Sequence, residues 1–171
     1  TNAAGAIYAT PTITPVGANP SGTVGATAVN GSAATFMRSD GAPPASANIL
    51  TTALVYVIDG GGSAITTGVK GDLLVPFACT INSATLQADQ TGAIVVDIWK
   101  KTYTTNSPPT VSNTITASAL PTLSTAQSSQ DTTLTGWSTG VNVAANDMLR
   151  FNVNSATTVT RVTLTLKCTK T

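Results

Sequence analysis

Residues 136–140 read Gly-Trp-Ser-Thr-Gly. This is the G-x-S-x-G spacing at which a strand-to-helix turn can lift a serine, here Ser138, toward a carbonyl carbon. Such a nucleophile needs a base to take its proton, which in the Ser-His-Asp arrangement is histidine. The chain has no histidine, and nothing in the sequence places a lysine nearby. The segment therefore reads as a β-turn. Paired carboxylates are the next candidates, because two of them flanking a glycosidic bond can hydrolyse it. Asp89 and Asp97 are close in sequence, but Asp89 sits in a turn-like Asp-Gln-Thr-Gly stretch. Asp97 lies mid-strand between apolar neighbours, where a structural carboxylate held by partners is expected.

Gly60-Gly61-Gly62 follows an apolar run but lacks the Lys-Ser/Thr ending and the helix of a phosphate loop, so it reads as a turn. All seven acidic residues are Asp, at 40, 59, 72, 89, 97, 131 and 147. With neither Glu nor His and no D-x-D-x-D run, no metal site is expected. No cofactor is expected and no enzymatic activity. Trp99, Tyr103 and Trp137 are left as candidates for stacking on a sugar ring, against the plainer reading of aromatic side chains in a core.

The elements that would position these residues are strands. Apolar residues make up 42% of the 171 and charged residues only 9%, well under the quarter usual for a soluble domain. Thr, Ser, Asn and Gln keep the surface wet instead, and Thr suits the solvent face of a pleated sheet. The net charge of +1, with eight scattered Lys and Arg, offers no basic stripe, and nucleic-acid binding is not expected. No apolar run approaches the roughly 20 residues of a membrane span, and no signal-peptide core opens the sequence, so assembly in a cytoplasm is expected. Cys79 and Cys168 lack CxxC spacing and are expected to be free thiols.

Along the chain, residues 1–47 are rich in Gly, Ala, Pro and Thr and cannot bury enough surface to fold alone. Proline-flanked Ile7, Tyr8, Ile13 and Val16 favour an extended arm that orders on a partner over a disordered tail. From residue 48 to 171 the texture changes to short strands. Ile49–Ile58 is a compact apolar run ending at Asp59-Gly60-Gly61. Gly71–Phe77 and Cys79–Ala88 are predicted strands, with Pro76 at an edge or bulge.

A turn is predicted at Asp89–Gly92, followed by a central strand in which Ile94, Val96 and Ile98 share one face. Asn106–Ser129 reads as a long loop with a short strand in "TITASAL". "TTLTGW", "DMLRFNV" and "VTRVTLTLKC" read as closing strands, the last with a clear period of two. The fold class is all-β, an antiparallel jelly-roll-like sandwich preceded by an extended arm.

The segment Val29–Ser46, "VNGSAATFMRSDGAPPAS", resembles the connectors of tailed-bacteriophage fibre proteins, where a G-x-A-T-x-F/Y-M-R-S-D-A-A-P phrase precedes a C-terminal β-domain. It departs from them at Gly41 and Pro44, where alanine is usual. "GVKGDLLVPFACTINSATLQADQTGAIVVDIWK", "ITASALPTLSTAQSSQDTTLTGW" and "LRFNV" are similar to the β-sandwich that ends many phage fibre and virion-surface proteins. The resemblance implies a homotrimer joined at Phe36, Met37, Arg38 and Asp40. It also implies a virion-surface location, with the arm held by the major capsid or another virion protein. The function expected is a head fibre or capsid decoration. The alternative is the receptor-binding tip of a tail fibre, contacting bacterial surface polysaccharide through Trp99, Tyr103, Trp137 and the Asn106–Ser129 loop.

Overall fold

In the computed structural model of the chain, residues 47–105, 107–137 and 141–171 are described. The chain divides into two compact units, Thr1–Ile49 and Leu50–Thr171, and the sheet belongs to the second. The arm residues Ile7, Tyr8, Ile13 and Val16 and the connector residues Phe36, Met37, Arg38 and Asp40 lie outside the described residues, as does Ser138. Ala47–Leu50 is a single helical turn, α1. Seven strands follow: β1 Thr51–Asp59, β2 Gly68–Val75, β3 Cys79–Thr102, β4 Thr122–Asp131, β5 Asn142–Val143, β6 Asp147–Thr157 and β7 Arg161–Lys170. The all-β, antiparallel expectation holds, and the strands form one curled sheet in the order β1-β7-β3-β6-β2.

β3 is the spine, 24 residues long. Its first half pairs with β7, from Cys79↔Lys170 to Ala88↔Val162, and its second half with β6, from Ala93↔Thr157 to Thr102↔Asp147. β6 and β7 are therefore one antiparallel pass along β3, interrupted only at residues 158–160. The same holds one strand further out, where β1 pairs with β7 and β2 with β6, interrupted by the 60–67 loop. On the opposite side of β3, β4 spans both halves, pairing at Ala84–Gln87 and again at Gly92–Val95. Every pass thus breaks along one line, and the sheet folds across that crease.

Folding across the crease turns one face of each half inward. Leu54, Ile58, Leu86, Val162, Leu164 and Leu166 from the first half join Ile94, Val96, Ile98, Leu149, Phe151 and Val153 from the second in a single core. Alternation produces this, since a period of two puts these side chains on one face and leaves Arg161, Thr163, Thr165 and Lys167 on the other. Each large side chain so buried contributes about 1.5–3 kcal/mol relative to exposure. The two halves touch directly where Tyr56 stacks on Phe151, with ring centroids 4.2 Å apart. The Tyr56 hydroxyl donates to the Lys70 carbonyl at 2.8 Å. Gly71 makes room for it: a Cβ there would lie 2.2 Å from the Tyr56 oxygen, and its φ of +152° disfavours any other residue.

At the crease, the carboxylate of Asp89 accepts from the backbone N–H of Thr160 and of Arg161, each at 3.1 Å, and from the Thr160 hydroxyl. Gln90 donates to the Thr158 carbonyl, and Thr158 donates back to the Thr91 carbonyl. The break in the outer pass is pinned to the same turn, by Gly60 N–H to Thr160 O at 2.8 Å and Ile65 N–H to Val159 O at 2.9 Å. Thr158 takes the left-handed conformation, as does Thr125 where β4 crosses the crease, at φ 66° and 51°. Gly92 allows the close approach, since a Cβ there would lie 2.6 Å from the Thr157 carbonyl.

Three expectations are corrected. No chain-reversing turn exists at Asp89–Gly92: β3 continues through it, because the Asp-Gln-Thr-Gly residues bend the strand and bind the crease. "TTLTGW" is not a strand, because Asp131 Oδ1 accepts from the N–H of Thr133 and Leu134 at 2.9 and 3.0 Å and turns the chain. Residues 122–131, expected within a loop, form β4, anchored by the buried Leu123.

These contacts make Gly92 and Asp89 the sensitive points. Gly92→Ala is expected to cost about 1–3 kcal/mol by overpacking against backbone, read as a lowered midpoint in urea. Asp89 has its carboxyl pulled down to about 2, first by the Thr160 hydroxyl and then by the Arg161 N–H. A depressed folded pKa gives stability that is complete above the unfolded value near 4 and lost as pH falls through about 2. Thermal midpoints at pH 7 and pH 2 should therefore differ less for Asp89→Asn than for the unsubstituted protein, and an equal loss would contradict the role of this carboxylate.

Candidate functional site

The one carboxylate buried beneath the segment that follows β3 is Asp97. Its Oδ1 accepts from the hydroxyls of Thr114 and Thr116 at 2.6 and 2.7 Å, and its Oδ2 from the Trp99 indole N–H at 2.7 Å. Backbone bonds from Ile115 N–H to Ile98 O and from Val96 N–H to Pro121 O lay residues 114–121 along the free edge of β3. A buried carboxylate without a cation persists when charge-assisted hydrogen bonds replace its hydration, and three donors do so here. The expected structural role of Asp97 is what the geometry supports. Its neighbour in sequence, Asp89, lies in the crease, and the two do not form a paired-acid arrangement.

The other described carboxylates are similarly occupied. Asp59 accepts from Gly61 N–H at 2.7 Å, which makes the triple glycine a turn. Asp147 is buried and accepts from Ala144 N–H at 2.9 Å and the Thr102 hydroxyl at 3.1 Å, with Lys100 Nζ 3.8 Å away. Among the described residues no group of three His, Cys, Asp or Glu is placed to hold a metal. Cys79 and Cys168 are free and buried. Burial is the first cause of their raised thiol pKa values, with Cys168 pushed up to about 12. Neither is a reactive thiolate at neutral pH.

The three aromatics proposed for sugar stacking do not form one platform. Trp99 is buried and tied to Asp97, and Trp137 is buried with its indole N–H on the Ala119 carbonyl at 2.9 Å. This corrects the expectation for both: their polar edges face protein acceptors, and core packing explains them. Tyr103 differs, being 58% exposed on the short 3-10 turn Tyr103–Thr105 that ends β3. It borders an open groove of about 300 Å³, with Ser107, Pro108, Met148, Asp72 and Arg150.

In that groove Arg150 donates from Nε and Nη2 to the two Asp72 oxygens at 2.6 and 2.7 Å, a two-point pair across β2 and β6. Its Nη1 donates to the Pro109 carbonyl at 3.3 Å and holds the loop after β3 against the sheet. The guanidinium holds the Asp72 carboxyl below the ordinary carboxylate range. The Ser107 hydroxyl accepts from Lys101 Nζ at 2.6 Å. The exposed Tyr103 ring can stack on a polar ring-shaped ligand, while Asp72 and Arg150 are engaged with each other and Arg150 also with the Pro109 carbonyl.

Asp72 and Arg150 were missed in the sequence because β2 and β6 meet only through the fold, 78 positions apart. A second cavity, of about 150 Å³, lies between Leu86, Ala119, Pro121, Ser129, Asp131 and Trp137. Of its polar walls, Thr122, Asp131 and Trp137 already spend hydrogen bonds on the fold.

Comparison with protein-family models, with curated proteins and with solved structures gave no match. The geometry separates two roles by mutation. Asp97→Ala leaves buried donors without an acceptor and should destabilise by at least about 1–3 kcal/mol, with a changed near-ultraviolet signal from Trp99. Tyr103→Ala, at an exposed ring, should stay within about 0.5 kcal/mol. Equal losses in denaturation would contradict this assignment.

Proposed function

We propose that the chain is a structural component of a tailed-phage virion. In this reading it is a trimeric surface appendage, a head fibre or capsid decoration, held by its N-terminal arm and displaying the curled sheet. The observation that carries this reading is where the carboxylates are. All six described Asp side chains accept hydrogen bonds that bend, turn or pin strands, through Asp59, Asp72, Asp89, Asp97, Asp131 and Asp147. The acidic groups that an enzyme would use are engaged in holding the scaffold. Around them is a surface of Thr, Ser and Asn suited to exposure outside a cell. The resemblance of Val29–Ser46 to fibre connectors supplies the virion context, with Phe36, Met37, Arg38 and Asp40 as the trimer joint. The two facing halves of the sheet would correspond to the sandwich of such a domain, in its jelly-roll-like form.

A second reading is favoured by the Tyr103 groove. The same domain would be a receptor-binding tip, with bacterial surface glycan received by Tyr103 beside the Asp72–Arg150 pair. The two readings differ in the fate of phage lacking the protein. Intact adsorption with bare heads supports decoration, and lost adsorption supports receptor binding.

The arm provides the direct test. In the proposed role Ile7, Tyr8, Ile13 and Val16 each bury at a virion protein, contributing about 1.5–3 kcal/mol before the cost of ordering the chain. Three copies in one trimer would strengthen attachment through effective concentration. Deleting Thr1–Pro20 should leave a folded β-domain, because the core formed by the described residues lies within residues 50–171. Immunoblots of purified particles should then show that the shortened protein is left behind. Normal incorporation would overturn the anchoring role.

A further inference from the structure

The segment that follows β3 covers one face of the second half of the sheet only in part. Asp97 and Trp99 are buried on that face. Two positions further along β3, Lys101 lies directly opposite Met148 of β6, and Met148 lies opposite Leu74 of β2. Directly opposite residues of antiparallel strands share a face, so Leu74, Met148 and Lys101 form one row across the sheet. The next row on the same face is Asp72, Arg150 and Trp99. The Tyr103 groove opens over Met148, Asp72 and Arg150 of these rows, with Tyr103, Ser107 and Pro108 along its wall.

The charges at this groove do not cancel. Asp72 and Arg150 neutralise each other through their two-point pair. Lys101 donates to the uncharged Ser107 hydroxyl at 2.6 Å and forms no ion pair among the described residues. One compact positive charge without a counter-ion therefore stands beside the groove, held there by a residue of its wall. The exposed Tyr103 ring offers a face for stacking, and Met148 an adaptable apolar floor. At about 300 Å³ the groove is at the small end of ligand pockets. Lys101 and Tyr103 are two positions apart, so ring and charge meet the same small ligand.

We propose that the groove takes a hexuronic acid residue of an acidic glycan, with the sugar ring stacked on Tyr103 and its carboxylate paired to Lys101. The inference rests on the receptor-binding reading for the ligand's being a saccharide, and adds the charge that saccharide carries. A hexuronate bears its carboxylate directly on the pyranose ring, so stacking and ion pairing occur together in a groove of this size. A neutral sugar satisfies the ring alone and leaves the ammonium without a counter-ion. The Asp72 carboxylate does not oppose the acid, because Arg150 offsets its charge. An ion pair at a partly exposed site is worth little, so the acid is preferred by about two- to fivefold.

The test is a magnetic-resonance titration of the full chain with carbon-13 in its tyrosine rings. The probes are oligosaccharides of glucuronate and of galacturonate, and the same oligosaccharides with their carboxyls reduced to alcohols. Tyr103→Ala identifies the Tyr103 signals among the three tyrosines. The expected result is that these signals shift and that, with either uronate, the acidic form binds about two- to fivefold more tightly than its reduced form. Added salt should narrow that difference. Lys101→Met should bring the two forms to equal affinity, and Lys101→Arg, which keeps the charge, should keep the preference. Equal affinity of the unsubstituted chain for acidic and reduced forms of both uronates would overturn the acidic ligand and leave the receptor-binding reading standing. A preference that persists in Lys101→Met would overturn Lys101 as its source. No shift of the Tyr103 signals with any of the oligosaccharides would overturn the receptor-binding reading and this inference with it.

Discussion

The carboxylate of Asp89 ties two strand passes to each other where both must bend. A long antiparallel sheet left to itself twists and stays open, with one apolar face in water. In this chain four passes bend or break along one line, and at that line Asp89 gathers the Thr160 and Arg161 amides and the Thr160 hydroxyl. Gly92 lets the passes approach, and Thr158 and Thr125 take the left-handed conformations that redirect the chain. Once the crease is fixed, register places the apolar row of each pass inward, and the two halves close on Tyr56 and Phe151. A one-residue slip would turn every one of those rows to solvent.

The same fold leaves its two sides unlike. β4 spans both halves and closes one side, while the other side ends in two strands that do not pair with each other. That open side carries exposed valines and a leucine, and the groove at Tyr103 lies along its β2 half, walled by Asp72, Met148 and Arg150. Buried polar groups keep the rest rigid: no buried side-chain nitrogen or oxygen among the described residues lacks a partner.

Much of the sheet was legible in the sequence. β7 alternates Val162, Leu164, Leu166 and Cys168 against polar neighbours, and a period of two reads directly as a strand with one wet face. Ile94, Val96 and Ile98 marked the inner strand, and the apolar setting of Asp97 marked a carboxylate held by partners. The crease was not legible, because Asp-Gln-Thr-Gly has the composition of a reversing turn, and only long-range pairing shows that it bends a continuous strand. β4 was hidden because its pass buries little besides Leu123, with Thr125 breaking the alternation. Trp99 and Trp137 stayed candidates for sugar stacking, against the plainer core reading, until their indole N–H partners were known. The groove was invisible because Asp72 and Arg150 meet only across β2 and β6.

The crease underlies the proposal made above, in which a hydroxyl-covered β-domain is displayed on a virion in three copies. The most direct measurement is a cryo-electron microscopy reconstruction of the assembled full-length chain, resolved well enough to trace strands. The account predicts threefold density with each β-domain bent along the line of Asp89 and Gly92. Density in which single copies stand apart, or in which β3 runs unbent past Asp89, would contradict it.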